Sequence, residues 1–363
     1  MKIVVVGLRG FPDIQGGVET HCEELFPRIV KMGHEVIVVR RKNFVKEVPV
    51  RLEYKGVKFK DLPSPSVSGL EAAIHTAWGI WFAKKTHADI LHVHAIGPSI
   101  MIPLARLLGL RVVMTHHGPD YDRDKWGIFA KFILRLGEYF AAMGAQDIIS
   151  ISTVISGILE KKYKRTKRVH LIYNGITSLC RGGGSLEFLK SLDLQPGRYI
   201  LAVGRFVEEK RFDKLIEAFV KLRLEEYKLV IAGDADYPSS YAHTLKVFAI
   251  ENGVVIPGIV KGEKLYQLYR QAALFVLPSS HEGLPITLLE AMSCGRKVLV
   301  SDIPANKAVG LPEENYFKLD DVEDMMQHIT DLLNDGQSDQ VYDLSKYNWD
   351  HIARQTEAVY LAK

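Results

Sequence analysis

Two carboxylates, Glu282 and Glu290, stand eight residues apart in the segment HEGLPITLLEAM. Gly283, Leu284 and Pro285 follow the first, and an apolar run leads to the second. Proline suits the first helical position, so the segment reads as a loop carrying Glu282 and a helix starting near Pro285, with Glu290 about a turn and a half inside it. The two need not touch. Each carboxylate is a two-oxygen acceptor suited to vicinal hydroxyls, and the helix start between them offers backbone amides to an anion. Upstream, VGRFVEEKRFDK puts Arg205 just beyond an apolar run and Lys210 near another helix start. Taken singly, these are two solvated cations. Together with Gly283, Leu284 and Pro285 on the same face of one sheet, they describe a diphosphate cradle. A nucleotide sugar is long enough to use everything: diphosphate at the helix start, ribose hydroxyls on one carboxylate, sugar hydroxyls on the other.

These groups serve only if strands and helices deliver them to one place. The first half alternates short β-branched runs with longer amphipathic segments: KIVVVG, GGVETHCEELFPRIVKMG, HEVIVVR, then DILHVHA, RVVMTHHG and DIISIS. That is βαβ rhythm. Strands buried on both faces of a parallel sheet read as continuous Val/Ile/Leu runs, so the expected class is α/β with doubly wound parallel sheets. Around VHLIYNGITSLCRGGGSLEFLKSLDLQPGR the rhythm lapses into glycines and polar residues. It restarts with YILAVG, RFDKLIEAFVKL, YKLVIAG, TLKVFAIENG, VVIPG, EKLYQLYRQA, ALFVLPS and KVLVSD. Two Rossmann-like domains are expected, residues 1–175 and 176–345, facing across a cleft. Residues 346–363 form a helix with Ile352, Thr356, Val359 and Tyr360 on one side, packing back on the first domain. Ligands of open α/β sheets bind beyond the carboxyl ends of the strands. In the first domain Gly16 and Gly17 stand just before a helix, where no Cβ blocks an anion from the amides. Their spacing is not GxGxxG, so a nicotinamide fingerprint is not supported.

The bulk properties exclude several classes. With 363 residues, 47% apolar and 25% charged, the chain is an ordinary globular protein of two domains rather than a disordered one. No run approaches the roughly 20 apolar residues of a spanning helix, and MKIVVVGLRG is too short in its apolar part for a signal peptide. Three cysteines, Cys22, Cys180 and Cys294, lack CxxC spacing, which supports neither a disulfide framework nor a zinc knuckle and fits a reducing cytoplasm. The net charge of +4 conceals +10 in residues 1–175 against −6 in the remainder. The basic runs VRRKNFVK and KKYKRTKR fall in the first half. They lack the aromatic interleaving of a nucleic-acid binder, and together they point to an anionic lipid surface or a diphosphate-bearing partner.

Three stretches imitate metal sites. Asp234 and Asp236 have D-x-D spacing, but they follow a second-domain strand, where Arg205 and Lys210 already neutralise charge. Asp120, Asp122 and Asp124 lack the glycine and terminal glutamate of an EF-hand loop, and PDYDRDK reads instead as a loop facing the acceptor, through Asp120, Arg123 and Lys125. His92 and His94 alternate on a strand, so one is expected buried and the other exposed to the cleft. No metal is expected.

In combination, the GG before the first helix, THHG after a middle strand, GRFVEEK, and HEGLPITLLEAMSCG with its E-x7-E spacing resemble the family 4 (group 1) retaining glycosyltransferases of the GT-B fold. The likeness runs from Met1 to the C-terminal helix. HHGPDYDRDKWG and GLRGFPDIQGGVET also resemble members that build bacterial surface polysaccharides such as lipopolysaccharide O-antigen and capsule. By motif, the resemblance implies that Gly16 and Gly17 approach the donor diphosphate, that Arg205 and Lys210 neutralise it, that Glu282 contacts the donor sugar and that Glu290 holds the ribose. The histidine of the T-x-H pattern beside the reacting sugar corresponds to His117, not His116. Where the family often has Lys-Gly or Lys-Asn, this chain has Lys210-Arg211.

The implied reaction is a retaining, metal-independent transfer of a hexosyl unit from a nucleoside-diphosphate sugar, UDP preferred over GDP, to a glycan carried on a polyprenyl diphosphate. The donor is a substrate, and no cofactor is expected. No first-domain carboxylate presents itself as a nucleophile, so front-face displacement is preferred, with Arg205, Lys210 and helix dipoles stabilising the leaving phosphate. The expected setting is cytoplasmic, at the inner face of the membrane. Two other classes remain open: a nucleotide-sugar epimerase, which would change the donor without acceptor, and a non-catalytic sugar-nucleotide binding protein, which would transfer nothing.

Overall fold

The computed structural model describes residues 1–14, 16–45, 49–65, 71–122, 127–176, 186–235, 239–336 and 340–362. Their strands form two sheets, in two compact units: Met1–Gly175 with Lys346–Lys363, and Ile176–Ser345.

The first sheet holds β1 (Lys2–Val6), β2 (Glu35–Arg41), β3 (Glu53–Tyr54), β4 (Val57–Leu62), β5 (Ile90–His94), β6 (Val112–His116), β7 (Asp147–Ser150) and β8 (Val169–Leu171). Their order is β3-β4-β2-β1-β5-β6-β7-β8, parallel throughout except for the β3–β4 pairing. Ile3, Val4, Val5 and Val6 have no exposed surface, and each such burial contributes about 1.5–3 kcal/mol, which holds β1 at the centre. The chain winds outward from β1 through β2, then returns to β5 on the other side, so its direction reverses between β1 and β5. Gly7 follows β1 with φ +101°, and a Cβ there would lie 2.2 Å from the His94 carbonyl oxygen. Only glycine lets the two strand ends approach so closely.

The second sheet holds β9 (Tyr199–Val203), β10 (Lys228–Ala232), β11 (Leu274–Leu277), β12 (Val298–Ser301) and β13 (Tyr316–Phe317), in the order β10-β9-β11-β12-β13. Here the reversal lies between β9 and β11. The segment VVIPG makes only an isolated bridge, Val255 to Val230, rather than a strand.

The helix Trp349–Leu361 belongs to the first unit and buries Ile352, Thr356, Val359 and Tyr360. Asn348 caps it, its side chain accepting from the Asp350 and His351 amides. It packs on the helix Gly17–Lys31, joined by Arg28–Asp350 at 2.9 Å. Among the described residues no helix is long and apolar enough to cross a membrane. Cys22 is a free, buried thiol.

Candidate active site

In the second unit, the segments leaving β9 and β11 carry the charges. After β9 the chain passes Gly204 and a part-buried Arg205 into a single 3-10 turn, Glu208–Lys210, and Arg211 takes a left-handed backbone before the helix Phe212–Leu222. After β11 it passes Ser279 to His281 and reaches Glu282. The Ser280 amide donates to the Glu209 carbonyl at 2.9 Å, stitching the two loops together. Lys210 Nζ then donates to Glu282 Oε1 at 2.5 Å across 72 residues of sequence. The side chains are only 14% and 12% exposed. Burial pushes the Glu282 carboxyl up, but the Lys210 ammonium outweighs it and holds the group below the usual carboxylate range. Neither charge would be stable here alone.

Pro285 is the N-cap of the helix Ile286–Ser293, so the helix starts one residue later than its sequence signals indicated. Its first-turn amides have no intrahelical acceptors, which is what an anion needs. Glu290 lies five residues in and accepts from the Tyr269 hydroxyl at 2.9 Å. Tyr269 is fully buried on the neighbouring helix Gly262–Gln271. Burial and the Glu290 carboxylate hold its hydroxyl well above the usual range, so it remains a donor. Nothing in the motif around Glu290 pointed to Tyr269.

In the first unit the end of β5 is ringed by histidines. His94 closes β5, His117 follows β6, and His21 arrives on the helix Gly17–Lys31. His94 Nδ1 is 2.9 Å from His117 Nε2, with the rings stacked 5.2 Å apart. His21 meets His117 edge-on at 5.1 Å and bonds Asn174 through Nδ1 at 2.8 Å. His92 bonds the Tyr360 hydroxyl at 2.6 Å and the Thr115 hydroxyl at 2.7 Å. Burial lowers His21 to about 4 and His92 to about 3, and moves His94 and His117 well below their ordinary value, so these rings are neutral at pH 7. Of the four, only His117 keeps appreciable surface. The expectation that one of His92 and His94 would be exposed is not met: both are fully buried. Residues two apart on a strand face the same way, and their rings lie 4.2 Å apart.

His21, His94 and His117 place ring nitrogens within 4.8 Å of one another, the group among the described residues that could hold a metal ion. The 2.9 Å between His94 and His117 is a hydrogen bond. Two nitrogens around tetrahedral zinc would stand about 3.3 Å apart, so the geometry fits paired neutral imidazoles better.

The turn carrying His117 is fixed from behind. His116 Nδ1 accepts from the Gly118 amide at 3.1 Å, and its Nε2 bonds the fully buried Glu138 at 3.1 Å. Tyr121, Lys162 and Tyr163 also donate to Glu138. Burial works to raise the Glu138 carboxyl, but these hydrogen bonds bring it down to about 2. One anion thereby anchors β6, the Asp120–Asp122 turn and the helix Thr153–Tyr163. Asp120 lies in that turn; Arg123, Asp124 and Lys125 lie outside the described residues, as does Asp236. Asp234 is paired with Lys246 at 2.6 Å.

Gly16 is the N-cap of the helix Gly17–Lys31, but its surroundings are not bare amides. A Cβ on Gly16 would lie 2.0 Å from Glu19 Oε2, whereas Gly17 faces open space. Arg9 grips Glu19 through its amide and guanidinium at 3.0 to 3.2 Å. Part of the basic runs is spent within this unit: Arg40 pairs with Asp61, Lys162 with Glu138, Arg168 with Asp147, and Arg165 bonds the Ala145 and Gln146 carbonyls, whereas Lys42, Lys161, Lys164 and Lys167 are exposed.

Residues 15–178 match the family model described as Glycosyltransferase Family 4, and residues 187–349 the one described as Glycosyl transferases group 1. An uncharacterized glycosyltransferase of Methanocaldococcus jannaschii is 26% identical, across 99% of this chain and 98% of that protein. Among solved structures, sucrose-phosphate synthase from Thermosynechococcus elongatus superimposes with a TM-score of 0.85 at 18% identity, covering 99% of this chain and 98% of that one. Anabaena HepE in complex with UDP and glucose gives 0.76 at 16% identity, covering 99% and 97%.

Proposed function

The chain belongs to glycosyltransferase family 4 and has the GT-B fold, and from that premise we propose that it transfers a hexosyl unit from a UDP-sugar, with retention and without a metal, to a polyprenyl-diphosphate-linked glycan in cell-surface polysaccharide synthesis. The observation that carries the donor half is the Lys210–Glu282 pair at the reversal of winding between β9 and β11. A cation and a carboxylate side by side, next to a helix start, match an anionic diphosphate joined to a hydroxylated ring. Uridine is favoured over guanosine because the HepE neighbour holds UDP and glucose.

In this reading the bond from the anomeric carbon to the diphosphate oxygen breaks as the acceptor hydroxyl attacks the same face. The acceptor proton passes to the departing phosphate oxygen. Arg205 and Lys210 stabilise the charge that grows there, so no divalent cation is required. Glu282 accepts from hydroxyls of the donor sugar and Glu290 from the ribose. His117 contributes its backbone carbonyl toward the positive anomeric carbon and its neutral ring toward a sugar hydroxyl, the Glu138 network keeping that turn rigid.

Proton NMR of the product tests the reading. The new linkage is expected to keep the anomeric configuration of the donor. An inverted linkage overturns retention, and epimerised donor formed without acceptor favours the epimerase instead.

A further inference from the structure

The surface of the first unit carries an apolar face that its own fold leaves uncovered. On the helix Ile128–Gly144, Ile128 is 91% exposed, Phe129 73%, Phe132 60%, Tyr139 47% and Met143 58%. Residues 128, 132, 135, 139 and 143 recur at helical spacing, so they form one stripe along the outer side. The helix Ile102–Leu107 packs beside it and adds Leu107, 84% exposed. The helix Glu71–Lys85 packs beside both Ile102–Leu107 and the turn preceding it, and adds Trp78 and Trp81. Scattered apolar residues are normal on a surface, but large exposed aromatic and aliphatic side chains concentrated on neighbouring helices mark an interaction site.

Charge says what kind. Lys84, Lys85, Arg106 and Arg135 are exposed on these same helices, with Lys131 part-exposed. Carboxylates are nearly absent. Glu138, the one acid between Ile128 and Gly144, is buried in the His116 network. The segment 98–107 has none, and Glu71 is bonded to Ser64 at the far end of its helix. Aromatic rings with cations between them, and no exposed carboxylate among the described residues of these three helices, match a boundary that is apolar below and negative above.

We propose that this face, built from Trp78, Trp81, Phe129, Phe132, Lys85 and Arg135, docks on an anionic lipid bilayer. It gives the lipid-linked acceptor reading above, on which it rests, a physical place. It stands beside the basic runs VRRKNFVK and KKYKRTKR, of which Arg40, Lys162, Arg165 and Arg168 are engaged inside the fold. The rings enter the headgroup layer while Lys84, Lys85, Arg106, Lys131 and Arg135 remain with the lipid phosphates.

Flotation with vesicles of phosphatidylglycerol and phosphatidylcholine at roughly 3:7, against pure phosphatidylcholine, tests this. Wild type is expected to float with the anionic vesicles and at least ~10-fold less with the neutral ones. The triple variant Ile128→Ser, Phe129→Ser, Phe132→Ser changes only exposed positions; it is expected to keep its melting temperature and to lose at least ~10-fold in vesicle binding. Wild type that stays at the bottom at low salt, or a folded triple variant that floats as well as wild type, overturns the proposal. So does a wild-type dimer in sedimentation that the triple variant abolishes, because the face would then be a self-association surface. UDP titration of the same samples separates the outcomes: lost flotation with intact UDP binding leaves the glycosyltransferase reading standing.

Discussion

Turnover of Lys210→Ala is expected to fall about a hundredfold, the loss usual when one group stabilising a developing charge is removed. Two consequences add. The departing diphosphate loses a cation, and Glu282 loses the partner that keeps its buried carboxylate ionised. An unpaired buried charge is costly, commonly 3–5 kcal/mol when one member of a pair is deleted, so the carboxyl of the variant is expected to take up a proton instead. Steady-state kinetics on Lys210→Ala and on the double variant Lys210→Ala, Glu282→Gln separate the two effects. If Lys210 acts on the leaving phosphate, the double variant stays as slow as the single one. If Lys210 serves only to hold Glu282, the neutral glutamine restores most of the rate and the proposed role fails.

Acidification is expected to destabilise the first unit well before ordinary carboxylates titrate. His21, His75 and His92 are held neutral by burial, at about 4, 4 and 3, against about 6.5 in an unfolded chain. Their folded-state values are depressed, so the unfolded chain binds more protons below pH 6.5, and stability drains away from there down to about pH 4. At pH 5.5 each of the three has lost about 1.4 kcal/mol, together about 4 kcal/mol, from a total that is commonly 5–15 kcal/mol. For a unit of this size that corresponds to roughly 10 °C of melting temperature. Glu138 and Asp147 are depressed acids whose contribution disappears only below about pH 4.5, so they do not mask the effect. Calorimetric scans at pH 7.5 and 5.5 measure it directly. A melting temperature that stays level between them contradicts the neutral, buried imidazoles.

The sheets were legible because buried parallel strands write themselves as unbroken apolar runs: KIVVVG, HEVIVVR, DILHVHA and ALFVLPS all became central strands. Strands without such runs escaped notice, and β8 was hidden in the stretch VHLIYNG, which reads as the domain junction. β4 alternates with lysines in VKFKDL and buries only Val57, and β3 and β13 are two residues long. Lys210, Glu282 and Glu290 could be found from turn chemistry and spacing. Their partners could not, because the Lys210–Glu282 bond and the Tyr269–Glu290 bond join segments 72 and 21 residues apart. The same holds for Glu138, which sits in an apolar helix and acquires meaning only from His116, Lys162 and Tyr163. The partners of the basic runs were hidden for a related reason. Composition counts cations without counting the acids and carbonyls that the fold sets against them, such as Asp61 opposite Arg40.

The central claim is that the second unit holds a nucleoside diphosphate with its ribose on Glu290 and its leaving phosphate near Lys210. Calorimetric titration of UDP into wild type, Glu290→Ala and Glu282→Ala tests it most directly. Losing hydrogen bonds to a charged acceptor commonly costs 1.5–3 kcal/mol, so Glu290→Ala is expected to bind UDP at least ~10-fold more weakly. Glu282→Ala, which removes a carboxylate from beside Lys210, is expected to bind UDP as well as wild type or better. A wild-type protein that does not bind UDP, or a Glu290→Ala variant that binds it as tightly as wild type, would contradict the account.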